Sequence, residues 1–145
     1  IVTYFYEDQI HKKLRLLKKL VFFCISIGLV TLLIMYFFGE LILAIIYTPE
    51  YSQYNNLMLI ITAGATMQFG TMFLGAALHA LRKYNYQLLN NIILIISIAI
   101  LGLILIPKYG VEGAAYVVSI GYLIESIGYI FWFTLMIKKD NKLKL

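Results

Sequence analysis

Glu125 is the residue of this chain whose type and position could do chemistry. It lies near the middle of an apolar run, residues 113–137, that holds no basic residue to pair with it. A carboxylate at that depth in a bilayer costs roughly 2.5–3.5 kcal/mol, and such residues usually face a bundle interior or a watery pathway. The position predicts proton or cation coupling, or a cavity for a polar substrate. The structural alternative is a hydrogen bond or salt bridge that only holds a neighbouring helix.

A stripe of small and polar residues runs along one face of the second apolar segment. Spacings of three and four residues place its members on one helical face: Gly64, Gln68, Thr71, Gly75, His79 and Arg82. Small residues let helices approach closely, so we interpret Gly64 and Gly75 as packing positions. Gln68, His79 and Arg82 are candidates for a pathway that becomes cationic toward one end. For Arg82 the alternative is a snorkelling residue that marks the membrane interface.

Two further segments add candidates. Gly121 and Gly128 share one face of the last segment and are predicted to pack against a neighbouring helix. Tyr122 and Tyr129 continue around that helix beside Glu125 and could line the same pathway. In the third segment Asn90 and Asn91 could bind either neighbouring helices or the hydroxyl groups of a glycan. These candidates complete the set: Glu125, Gln68, His79, Arg82, Asn90, Asn91, Tyr122 and Tyr129.

The sequence lacks the residue patterns of metal sites, nucleotide-binding loops, catalytic pairs and disulfides. The two histidines, His11 and His79, lack the partners that a metal site needs. No phosphate-binding loop, dinucleotide fingerprint, nucleophile–base pair or carboxylate pair is present. The single Cys24 can form no internal disulfide. The sequence therefore predicts no enzyme, no metal and no cofactor, although coupling to a proton or cation gradient remains open.

The elements that must position these residues are membrane spans. The chain is 62% hydrophobic and only 13% charged, whereas soluble domains are about one-quarter charged. A span needs ~20 mostly apolar residues. Four spans are predicted, at about residues 20–38, 57–80, 88–106 and 113–137. The predicted fold is an all-α polytopic transmembrane bundle.

The flanking segments are predicted from the same pattern. Residues 1–19 read as an amphipathic cytoplasmic helix that leads into the first span, and residues 138–145 as a basic cytoplasmic tail. A break is predicted at Gly39-Glu40, with residues 41–47 forming a short helix at the interface that stops at Thr48-Pro49. The chain begins with Ile rather than Met. We therefore expect it to be a piece of a longer protein.

Basic residues set the orientation. Eleven of the twelve Lys and Arg side chains precede the first predicted span, join the second to the third, or follow the fourth. Cytoplasmic loops carry the excess of Lys and Arg, so both termini are predicted to be cytoplasmic in a multi-pass protein of the cell membrane. The basic residues behind the net charge of +5 are then explained by their role in setting the topology and by attraction to membrane lipids. No nucleic acid is predicted as a partner.

Three stretches in order carry a family resemblance: ELILAIIYTPEYSQY at 40–54, GTMFLGAALHALRK at 70–83, and LILIPKYGVEGAAYV at 103–117. In the last stretch a Pro ends one predicted span, a Gly turn crosses the outer face, and small residues open the next span. The order resembles the C-terminal part of polysaccharide repeat-unit flippases, the O-antigen and capsule exporters of the multidrug/oligosaccharidyl-lipid/polysaccharide flippase superfamily. The resemblance covers roughly residues 12–137 and corresponds to the last four spans of a longer transporter.

The resemblance implies an exporter of lipid-linked oligosaccharide that works by alternating access between two lobes. It implies an undecaprenyl-pyrophosphate-linked glycan as substrate, and an N-terminal lobe outside this chain as partner. Basic cavity residues of such proteins often hold the pyrophosphate, and Arg82 and Lys83 are the candidates here, whereas the deep ionisable residue is acidic. One alternative is a cation-coupled multidrug exporter, either of the same superfamily or of the small four-span kind, although the latter carry their acidic residue in the first span. Another is a non-transporting assembly module of a polysaccharide export complex.

Overall fold

The structure, a computed structural model, describes the backbone of residues 2–142 and the side chains of residues 15–136. Four long helices follow one another: α1 (Val2–Ile46), α2 (Asn55–Ala80), α3 (Tyr84–Tyr109) and α4 (Val111–Lys142). A short 3-10 helix, Pro49–Tyr54, joins α1 to α2. All four long helices are long and apolar enough to cross a membrane. The predicted all-α fold is confirmed.

The predicted break at Gly39-Glu40 is wrong, because α1 continues through it to Ile46. Gly39 is buried, and a Cβ added there would overlap the side chain of Asn55. The glycine therefore serves close packing against the start of α2 rather than a helix end. The residues predicted as an amphipathic helix, a span and an interfacial helix belong to one continuous element. The side chains of Lys12, Lys13 and His11 lie outside the described set, as do those of the basic tail.

The end of α3 also differs from the expectation. Pro107 lies inside the last turn of α3, and the helix ends only at Tyr109. Gly110 is the single residue between α3 and α4, with φ +59°. Left-handed backbone of this kind favours glycine, which has no Cβ to clash. Gly110, not Pro107, therefore turns the chain.

The four helices form a row in the order α1, α2, α4, α3. In the part of the chain whose side chains are described, α1 contacts α2 and the 3-10 helix but neither α3 nor α4. Close contacts fix the directions. Gly28 of α1 contacts Thr66 of α2, and Ile25 of α1 contacts Gly70 of α2, so the two helices are antiparallel.

The central pair, α2 and α4, runs parallel. Gly64 lies against Ser119 and Gly75 lies against Tyr129, so both helices advance together along the contact. The α3 helix returns antiparallel to α4, with Ile98 beside Gly121 and Asn90 beside Gly128. The ends that carry Arg15, Lys18 and Lys19 on α1 and Arg82 and Lys83 after α2 therefore lie together. That grouping agrees with the predicted orientation, which stays a prediction.

Candidate functional site

Glu125 makes a direct hydrogen bond across the central helix pair. The Gln68 side-chain amide, Nε2, donates to Glu125 Oε2 at 2.7 Å. Both side chains are half-buried. Among the side chains that the structure describes, a neutral amide and not a cation is thus the partner of the deep carboxylate.

Hydroxyl groups extend this contact along the same seam. Thr71 Oγ1 donates to Ser126 Oγ at 2.9 Å between two buried side chains. Ser119 Oγ donates to the backbone carbonyl oxygen of Ile60 at 2.7 Å. Hydrogen bonds between helices in a membrane have no water to compete with them, although each contributes only about 0.6–2 kcal/mol. The α2–α4 contact therefore has polar interactions at three positions along its length.

The third helix reaches the site through Asn90. Its Nδ2 donates to the backbone carbonyl oxygen of Glu125 at 3.3 Å, and its side chain is 2% exposed. Tyr129 is buried one turn beyond Glu125, with the Gln87 and Asn90 side chains beside its hydroxyl. Gln87 Oε1 is buried and accepts no hydrogen bond from the described part of the chain. Glu125 thus lies where α2, α3 and α4 converge.

The predicted packing glycines all lie at close helix contacts. A Cβ on Gly64 would come within 2.7 Å of Ser119 Cα, and one on Gly75 within 3.1 Å of the Tyr129 ring. A Cβ on Gly121 would come within 3.1 Å of Ile98, and one on Gly128 would overlap the Asn90 side chain. Four glycines therefore allow the polar side chains to reach across.

The remaining predicted site residues do not join this cluster. His79 is exposed and packs its ring edge-to-face on Tyr84, with centroids 5.5 Å apart. Asn91 is exposed, on a different face of α3 from Asn90. Tyr122 is half-buried on the α4 turn before Glu125. The pathway that the stripe predicts toward His79 and Arg82 is therefore not continuous with the Glu125 cluster.

Arg82 occupies an unusual backbone position at the end of α2. Its φ is +56°, the left-handed region that non-glycine residues rarely adopt. The Arg82 N–H donates to the His79 carbonyl at 2.9 Å, and the Lys83 N–H donates to the Leu78 carbonyl at 2.9 Å. These two bonds form a Schellman motif, in which glycine is usual at the position of Arg82. The arginine is thus exposed on a tight turn.

Four residues of the site were not among the pathway candidates: Thr71, Gln87, Ser119 and Ser126. Ser119 and Ser126 are seven residues apart, so they share the face of α4 that meets α2. That spacing was a usable signal, but serine in a span commonly bonds its own helix, and sequence cannot separate the two cases. Among the described residues no group of three or more His, Cys, Asp or Glu side chains could hold a metal ion.

A search of curated proteins finds a relative of this chain. Over 131 residues the chain is 32% identical to a protein of Staphylococcus aureus named capsular polysaccharide biosynthesis protein CapF. The match covers 88% of this chain and 33% of that protein, so the chain spans about a third of the length of the curated relative that it matches. No family model matches the chain, and no solved structure matches it.

Proposed function

We propose that the chain is part of a membrane exporter that moves lipid-linked oligosaccharide repeat units across the cytoplasmic membrane during polysaccharide biosynthesis. The name of the Staphylococcus aureus relative links a similar sequence to capsular polysaccharide biosynthesis. Because four helices are long and apolar enough to cross a bilayer, we assign the chain to a step of that process that takes place in the membrane. The remaining spans of the transporter supply the second lobe that alternating access requires.

The observation that carries the proposal is the Gln68–Glu125 pair. A primary amide can donate its N–H to a charged carboxylate or accept from a protonated one through its oxygen. Gln68 can therefore satisfy Glu125 in either protonation state by turning its amide. The pair is only half-buried by these helices, and the proposal requires a watery path to its open side in the complete transporter. A site of this kind suits coupling of export to a proton or cation gradient.

The substrate and its contacts follow from the same proposal. The cargo is an undecaprenyl-pyrophosphate-linked glycan, and membrane lipids surround the exposed apolar faces. Arg82 and Lys83 are both exposed at one end of the bundle, where they could meet the pyrophosphate. They do not belong to the Glu125 cluster, so head-group contact and ion coupling are separate tasks. The chain carries out no covalent chemistry.

Two other functions would use the same helices differently. In a cation-coupled multidrug exporter, Glu125 would exchange a proton for the drug, and drug resistance rather than glycan export would depend on it. In a non-transporting assembly module, the Gln68–Glu125 bond would only hold α2 to α4. The depth of the carboxylate in α4 favours a transporter over the module, because ionisable residues within spans usually mark substrate or ion pathways.

Glu125→Gln in the complete protein tests the proposal. An amide at position 125 can still bond Gln68, so membrane abundance should stay near normal. Export of lipid-linked glycan should fall on the order of tenfold or more, equal to ~1.4 kcal/mol, and its dependence on the proton or cation gradient should weaken. Glu112→Gln, on an exposed side chain in the first turn of α4, is the matched control.

Abundance and export are measured in the same cells. Normal abundance with normal export would refute a role for Glu125 in transport. Loss of the protein from the membrane would instead show that the carboxylate is structural. Lost drug resistance with unchanged glycan export would favour the drug exporter.

A further inference from the structure

A cavity of about 270 Å³ lies between α1 and α2, away from the α2–α4 seam. Residues of both helices line it: Cys24, Gly28 and Thr31 from α1, and Thr62, Ala65 and Thr66 from α2. Ile27 and Phe69 also line it and are 50% and 56% exposed. The cavity is therefore a groove that opens onto the outer surface of the helix row.

Three threonines line the groove, yet it offers almost no polar surface. Thr31 Oγ1 donates to the Ile27 carbonyl at 3.0 Å, Thr62 to Met58 at 2.7 Å, and Thr66 to Thr62 at 2.8 Å. Each hydroxyl hydrogen is thus bonded within its own helix. A buried water needs two to four polar partners, which this groove does not provide. Water and sugars are poor occupants, and hydrocarbon is a good one.

The size of the groove limits the occupant further. A volume of 270 Å³ holds roughly nine groups of the size of water, and a methylene group is similar in size. A helix, about 10–12 Å across, cannot enter. The groove exists because Gly28 and Ala65 are small, and its floor is closed where Gly28 meets Thr66. One flexible chain fits this space.

We propose that an acyl chain of a bilayer phospholipid occupies this groove and completes the α1–α2 interface. Both helices are apolar enough to lie at hydrocarbon depth, where the medium at the mouth of the groove is acyl chains. Among the described elements α1 packs only on α2 and the 3-10 helix, so the missing contacts matter for its attachment. An unfilled space would leave its lining without dispersion contacts on one side. This site is independent of the proposed transport activity.

Photocrosslinking tests the proposal in the complete protein, with Cys24 retained. The protein is placed in vesicles of phosphatidylcholine and phosphatidylglycerol that contain a phosphatidylcholine with a diazirine midway along one acyl chain. After irradiation, lipid adducts are located by mass spectrometry. Adducts on Cys24 and Ile27 should exceed severalfold those on Leu33, which is exposed on the same helix.

Two alanines of α2 provide matched variants. Ala65→Leu fills the groove and should reduce adducts on Cys24 severalfold. Ala63→Leu makes the same change at an exposed position that does not line the groove, and should leave them unchanged. Thr31→Leu fills the groove from α1 and replaces Ala65→Leu if that variant is not recovered folded.

Four results would overturn the proposal. Equal adducts on Cys24 and Leu33 would show no site, and adducts that survive both filling variants would place the chain elsewhere. Labelling by a diazirine on an isoprenoid chain but not on the phospholipid would assign the groove to another lipid. Crosslinks to another segment of the protein from a photoreactive maleimide attached to Cys24 would show that a side chain covers the groove.

Discussion

Gly64→Ala should separate α2 from α4 and weaken the site between them. A Cβ at position 64 would lie 2.7 Å from Ser119 Cα and 3.1 Å from the Ser119 carbonyl oxygen. Ordinary contact begins near 3.4 Å, so the two helices must part by about 0.7 Å, because backbone atoms cannot rotate away. The Gln68–Glu125 bond, one turn farther along, would lengthen with them.

The expected free energies follow from two opposing effects. Overpacking costs typically 1–3 kcal/mol. Replacing glycine by alanine in a helix regains about 1 kcal/mol. Gly64→Ala should therefore lose up to about 2 kcal/mol of unfolding free energy. Gly75→Ala should be near neutral, because its Cβ would meet the Tyr129 ring at 3.1 Å and a side chain can move.

Gly102→Ala is the control, because its nearest neighbour would be Ile106 Cδ1 at 3.7 Å. This variant should be neutral or slightly stabilising. The three purified variants are compared by thermal unfolding of the complete protein in detergent, with glycan export as a second measurement. A Gly64→Ala protein as stable as Gly102→Ala would refute the described α2–α4 contact.

Two further predictions concern the ends of the helices. Arg82→Gly should leave the turn intact and raise the unfolding free energy by up to about 1 kcal/mol, because glycine adopts a positive φ without strain; in a thermal unfolding assay, destabilisation relative to Arg82→Ala would contradict this. In a Cys24→Ser background, a membrane-impermeant thiol reagent on intact cells should label Glu50→Cys or Tyr109→Cys. It should label Lys83→Cys only after permeabilisation, and the reverse pattern would contradict the orientation.

The sequence predicts which face of α2 is used but not what that face meets. Gly64, Gln68, Thr71 and Gly75 form one stripe by their spacing alone, and the structure lays all four against α4. The pairing of Gln68 with Glu125, 57 residues apart, depends on the parallel docking of α2 on α4. No local pattern encodes that docking, because it is a property of tertiary packing.

Helix ends were the least predictable part. Glycine at position 39 and proline at position 107 both suggested a break, since these residues weaken helices in general. At Gly39 packing against Asn55 overrides the weak propensity. At Pro107 the helix has only two residues left to run, so little is lost. Packing kept α1 helical through Gly39, whereas the positive φ of Gly110 ended α3.

The order α1, α2, α4, α3 also bears on how the protein is assembled. Each outer helix packs on its neighbour in sequence, so α1 with α2 and α3 with α4 are hairpins that can form separately as the chain is made. The Gln68–Glu125 bond joins the two hairpins and can form only after α4 has been synthesised. Between insertion of α4 and its docking on α2, the carboxylate lacks its Gln68 partner in lipid, at a cost of roughly 2.5–3.5 kcal/mol. Docking of the second hairpin on the first therefore relieves the least favourable step of insertion, and the polar seam that serves the finished protein also drives its completion.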